Sequence, residues 1–92
     1  MFKIFKISGD SLYPLYKDGE RMFCRRITKN SLLKINDIVV FKRDNIGLMV
    51  KQIASINLNK YELKGTIPYS HDSRNFGYID RNNILFKALF KI

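Results

Sequence analysis

Apolar residues in this chain come in short runs, and most runs end in turn-forming chemistry. Phe2 to Ile7 stops at Ser8-Gly9-Asp10, and Glu20 to Ile27 follows Asp18-Gly19. Gly supplies positive φ, and Asp and Ser bond their own backbone, so such clusters bend the chain. Ile38 to Arg43 is a compact β-branched and aromatic run; Asp44-Asn45-Ile46-Gly47 then turns the chain into Leu48 to Ile56, which predicts a hairpin. Tyr61 to Lys64 and Ile84 to Ile92 complete the set of predicted strands. No long window keeps a 3.6-residue apolar period, and Pro14 and Pro68 sit in turn-rich segments. Ser11 to Tyr16 and Asn30 to Leu33 are each long enough for one helical turn only. The pattern predicts an all-β fold: a twisted antiparallel sheet, partly closed as a barrel, without internal repeats.

Composition sets the scale of that fold. The chain has 92 residues, 46% of them hydrophobic and 13% aromatic, which predicts one packed domain over residues 1–92 with a small core. The longest charge-free stretch, Gln52 to Asn59, has eight residues, far short of the ~20 that a membrane-spanning helix needs. Lys3 and Lys6 interrupt the N-terminal run, so no secretory h-region forms, and the expectation is an unanchored chain, cytoplasmic or membrane-peripheral. Cys24 is the single cysteine and His71 the single histidine, too few ligands for a Cys/His zinc site, and no cofactor is expected. Cys24 reads as a buried strand residue. The net charge of +9 suggests attraction to anionic lipid head groups or to nucleic acid, but the cations are scattered along the chain. Peripheral contact with an anionic membrane is therefore the expected form, with no specific nucleic acid.

The chemistry begins at Ser8-Gly9-Asp10-Ser11-Leu12-Tyr13-Pro14, where Gly9 allows close backbone approach to a substrate carbonyl two residues before a serine. By itself a Gly-Asp-Ser turn is structural more often than catalytic. His71 and Asp72 are chain neighbours, and on extended backbone their side chains point apart, so they are poorly placed to form a triad with Ser11. The other base available to a serine is a lysine kept neutral by burial. Lys51, in Leu48-Met49-Val50-Lys51-Gln52-Ile53, shares a strand face with Met49 and Ile53, where its ammonium would be desolvated.

With these residues in hand, the chain resembles the S26 serine peptidases, the type I signal peptidases and their small relatives. Its boxes occur in order: Gly9-Asp10-Ser11-Leu12-Tyr13-Pro14 with Asp18-Gly19-Glu20, then Ile35 to Phe41, Val50-Lys51-Gln52-Ile53, and Lys64-Gly65 followed by Ser70 to Gly77. The resemblance implies a serine endopeptidase with the catalytic core fold of that family. Ser11 would be nucleophile and Lys51 general base, with the Ser70 hydroxyl positioning the amine and an Asp72–Arg74 pair bracing its loop. Gly9, Asp10, Leu12, Tyr13 and Pro14 would form the oxyanion and substrate-binding segment, the Ser11 N–H serving as oxyanion donor because Gly9 has no hydroxyl to offer. The client would be an extended peptide, of signal-peptide or maturation type. The last box resembles S26 rather than the self-cleaving repressor peptidases, which share the Ser-Lys dyad.

The chain also departs from the S26 pattern. Leu12 stands for a Met, Asn36 for a turn Gly, and Phe86 for a Gly, while Thr66-Ile67 replaces an Asp-Asn pair and removes its polar turn contacts. The expectation is a catalytic core alone, without the membrane anchor and extra β-domain of the larger signal peptidases. Two rivals to an active enzyme follow: a decayed peptide-binding module of the same fold, and a basic β-barrel that binds nucleic acid through some of the 12 Phe and Tyr residues.

Overall fold

The computed structural model describes residues 1–44, 46–66 and 78–92. Among them are seven strands: β1 (Phe2–Lys6), β2 (Arg21–Arg26), β3 (Ile38–Arg43), β4 (Gly47–Asn57), β5 (Lys60–Lys64), β6 (Ile79–Asp80) and β7 (Ile84–Lys91). They form one antiparallel sheet in the order β1-β2-β7-β3-β4-β5-β6. The order has two free ends, so the sheet does not close by hydrogen bonding. Six strands coincide with the predicted runs to within a few residues. The two-residue β6 is too short to leave an apolar signature. Instead of a helical turn at Asn30–Leu33, the chain makes a tight turn one step earlier, where Ser31 N donates to the Thr28 carbonyl at 3.2 Å and Ser31 Oγ accepts from Thr28 N at 2.8 Å.

Strand β3 explains why the sheet can curl. Ile38, Val39, Val40 and Phe41 are all buried, which requires apolar partners on both faces. Ile38 and Val40 join Leu12, Tyr16, Met22, Cys24 and Phe86 in one core. Val39 and Phe41 join Leu33, Ile53, Tyr61, Leu63 and Ile84 in a second, on the opposite face. Each fully buried side chain of this kind contributes about 1.5–3 kcal/mol by leaving water. Bulges between Phe23 and Cys24, between Val40 and Phe41, and between Ile53 and Ser55 add the local twist that lets the two halves fold over opposite faces.

The segment from Ile7 to Glu20 covers the first core. It leaves and rejoins the sheet at one place: Ile7 N donates to the Glu20 carbonyl at 2.7 Å and Gly19 N to the Ile7 carbonyl at 2.8 Å. Within it Gly9 takes φ +89, and its N–H is held by Asp18 Oδ1 at 2.8 Å. Tyr13 N donates to the Asp10 carbonyl and Tyr16 N to the Leu12 carbonyl, each at 3.0 Å, which gives the single turn predicted for Ser11 to Tyr16. Asn36 takes φ +79, as its replacement of a turn glycine requires. Phe86, also in a glycine's place, is buried and packs edge-on against Phe5 with ring centroids 5.0 Å apart.

Candidate active site

A cleft of about 320 Å³ opens between two walls of backbone, Phe5–Ser8 on one side and Leu48–Lys51 on the other. Ser11 lies along it, with the buried side chains of Leu12 and Val40. In the sheet order β1 and β4 are separated by three strands, so only a strongly curled sheet brings these walls together. The partial closure expected from the sequence is thus one of shape.

Lys51 is 4% exposed, the one buried charged residue among those described. Its burial follows from register: it stands opposite Val39, on the strand face it shares with Met49 and Ile53, as alternation predicts. Ser11 is linked to the same place from a second direction. Its carbonyl accepts from Thr66 N at 2.7 Å and from Thr66 Oγ1 at 3.3 Å, and the same hydroxyl also reaches the Tyr13 carbonyl. The β4–β5 ladder ends at the Gln52–Lys64 pair, next to Lys51 in the chain, and Thr66 follows two residues after Lys64. The shared cleft and the Thr66 bridge both join the serine segment to the lysine strand.

The bridge is made by one of the two departing residues: Thr66 supplies both a backbone and a hydroxyl donor to the serine segment, while Ile67 lies outside the described residues. Sequence reasoning missed Thr66 because its partners lie more than fifty residues away, and no local pattern announces them.

The remaining expected residues divide into two groups. Gly9, Asp10, Tyr13 and Pro14 do not line the cleft; Gly9 bends the chain, and Asp10 and Tyr13 offer carbonyls to the turn and to Thr66. Leu12 both lines the cleft and anchors the segment in the first core. Ser70, His71, Asp72 and Arg74 lie outside the described residues.

The surroundings are held by ordinary side-chain chemistry. Glu20 accepts from Lys17 N at 2.7 Å and pairs with Lys91 at 3.1 Å, and these two contacts hold its carboxyl below the usual range. Lys91 also sits 5.2 Å from the centre of the Tyr16 ring. Burial raises the Tyr16 phenol, reinforced by Cys24 and Glu20. Burial likewise raises the Cys24 thiol to about 11, so it stays protonated and packs as a small apolar residue. A second cleft, of about 350 Å³, also has a serine and a lysine in its wall, Ser31 and Lys87. There Ser31 Oγ accepts from Thr28 N, while Lys87 Nζ donates to the Leu32 carbonyl at 3.2 Å and pairs with Asp37 at 3.4 Å. Both groups there are thus engaged in contacts with other residues, and neither is within the cleft that holds Ser11 and Lys51.

A family model described as peptidase S24-like matches residues 2–78. The chain belongs to the S24-like peptidases. The match spans both cleft walls, Ser11 and Lys51, and it accords with the open, almost helix-free antiparallel sheet. The match is to the S24-like serine peptidases and not to the S26 group expected from the sequence. The box that favours S26, Ser70 to Gly77, lies outside the described residues. No curated protein matches the chain.

Proposed function

We propose that this S24-like protein is a serine endopeptidase of the signal-peptidase kind, with Ser11 as nucleophile and Lys51 as general base. The observation that carries the reading is the placing of Ser11 and the buried Lys51 along one cleft. Ser11 Oγ attacks the scissile carbonyl while the neutral Lys51 amine takes its proton, and the Ser11 N–H donates to the developing oxyanion. Collapse of the tetrahedral intermediate breaks the C–N bond. The amine leaves with the proton from Lys51, and an ester remains on Ser11. Water, deprotonated by the same lysine, then hydrolyses the ester and restores both groups. The sequence resemblance assigns Ser70 to positioning that amine and Asp72 and Arg74 to supporting it; all three lie outside the described residues.

The walls of the cleft suit an extended substrate. Among the described residues, strand β1 pairs only with β2, and none covers its other edge. On the β4 side, β5 pairs only from Gln52 onward, so among the described residues no strand covers the second edge of Gly47–Lys51. A peptide entering between these two edges can add as a strand, with alternate side chains turned toward Leu12 and Val40. Leu12 and Val40 give the cleft an apolar lining, and the preference for a small side chain just before the scissile bond follows from the resemblance to the signal peptidases.

Digestion of a peptide library by wild type and by Ser11→Ala tests the reading. Cleavage after small residues by the wild type alone is expected. A folded wild type that binds peptides but cleaves none would instead make it a peptide-binding module of this fold.

A further inference from the structure

The outer face of β1, β2 and β7 carries a row of rings that no part of the described protein covers. Phe2 stacks on Phe23 with centroids 5.2 Å apart, and Phe23 on Phe90 at 5.0 Å, both pairs at an interplanar angle of 18°. Phe2 and Phe90 are each 56% exposed, and Ile4, opposite Phe23 in the ladder, is 51% exposed. A contiguous apolar patch of this kind is uncommon on the surface of a monomer and marks a contact surface.

The charges on the same face identify the partner. The ladder pairs Phe2 with Arg25, Ile4 with Phe23 and Lys6 with Arg21, and directly opposed residues share a face. Exposed Lys6, Arg21 and Arg25 therefore border the rings, and the three strands contain no acidic residue. A second copy of the chain would bring like charges together and add to a net charge of +9 on each side. Single-stranded nucleic acid meets the charge but not the apolar part. The rings stack on one another, so only the outer faces of Phe2 and Phe90 are left for bases, and stacking there would leave Ile4 uncovered. An acidic phospholipid surface meets both features, since rings and aliphatic side chains enter the boundary between headgroups and acyl chains while the cations meet the headgroups.

We propose that the outer face of β1, β2 and β7 docks the protein peripherally on acidic phospholipid bilayers, with Phe2, Ile4, Phe23 and Phe90 as the inserted residues and Lys6, Arg21 and Arg25 as the headgroup contacts. This inference is independent of the peptidase reading, because it uses none of the cleft chemistry.

Sedimentation with vesicles of phosphatidylcholine alone, and of phosphatidylcholine with phosphatidylglycerol, tests it. Wild type is expected to pellet with the acidic vesicles at low salt and not with the neutral ones, with binding falling steeply as salt rises. Phe2→Ser with Phe90→Ser, and separately Arg21→Gln with Arg25→Gln, should each weaken binding by about tenfold or more while the thermal transition is retained. Absence of binding to acidic vesicles at low salt would overturn the proposal, as would binding that neither pair of substitutions weakens. Tighter capture of a single-stranded oligonucleotide, lost on the Phe2 and Phe90 substitutions, would assign the face to nucleic acid instead.

Discussion

Removing the Thr66 hydroxyl tests how the serine segment is held. Thr66→Val keeps the shape and β-branching of the side chain and the 2.7 Å bond from its backbone N–H to the Ser11 carbonyl. What it removes is the hydroxyl contact to the Ser11 carbonyl at 3.3 Å and that to the Tyr13 carbonyl. A net intramolecular hydrogen bond contributes about 0.5–1.5 kcal/mol. The first contact is long, and Ser11 keeps its backbone donor; Tyr13 is half exposed, so water replaces much of what its carbonyl loses. We therefore expect a loss near the size of one bond, about 1 kcal/mol, which for a domain this small lowers the melting temperature by roughly 4–8 °C. Thr66→Ser, which keeps the hydroxyl, should recover most of it. Urea and thermal melts of the three proteins decide the matter. If Thr66→Val melts with wild type, or Thr66→Ser falls as far as Thr66→Val, the hydroxyl bridge is not what holds the segment.

Other consequences concern turns and buried groups. Leu58 lies in the β4–β5 turn at φ +56 and is 93% exposed, so Leu58→Asn should stabilise the protein by about 0.5–1 kcal/mol in urea melts. With the Cys24 thiol raised from 9.0 to about 11, the unfolded chain loses that proton first as pH rises. Between those values the native state binds more protons, so Cys24 takes away stability at up to about 1.4 kcal/mol per pH unit. Cys24→Ala should be less stable than wild type at pH 7, because it leaves a cavity, and the gap should narrow above pH 9 in melts run across that range. Lys51→Met should give a folded protein that cleaves nothing and melts no lower than wild type at pH 7, since its side chain fills the same apolar face; a large loss of stability would make Lys51 a structural ion-pair partner.

The sequence announces those parts of the fold that rest on local chemistry. The β3–β4 hairpin was legible because Ile38 to Arg43 and Leu48 to Ile56 are strong strand formers around one turn. Burial of Lys51 was legible because alternation puts it with Met49 and Ile53. The pairing of β7 between β2 and β3 was not, since it joins residues roughly forty to seventy positions apart and no turn specifies it. The curl that faces β1 toward β4 was legible only as an expected partial barrel, because it depends on bulges that leave no sequence mark. The bridging role of Thr66 was not legible because its partners lie more than fifty residues away. The stacked phenylalanines were visible as apolar strand positions, but only the sheet order shows that Phe2, Phe23 and Phe90 meet on a face that no described residue covers.

The Ser11–Lys51 pairing is tested most directly by finding where a serine-reactive electrophile lands. Wild type, Ser11→Ala and Lys51→Met, each shown to be folded, would be treated with the probe and digested, and the modified peptide identified by tandem mass spectrometry. The account predicts modification at Ser11 in wild type, and none at that position in either variant. An unlabelled wild type, or a Ser11 labelled as fast in Lys51→Met as in wild type, would contradict it.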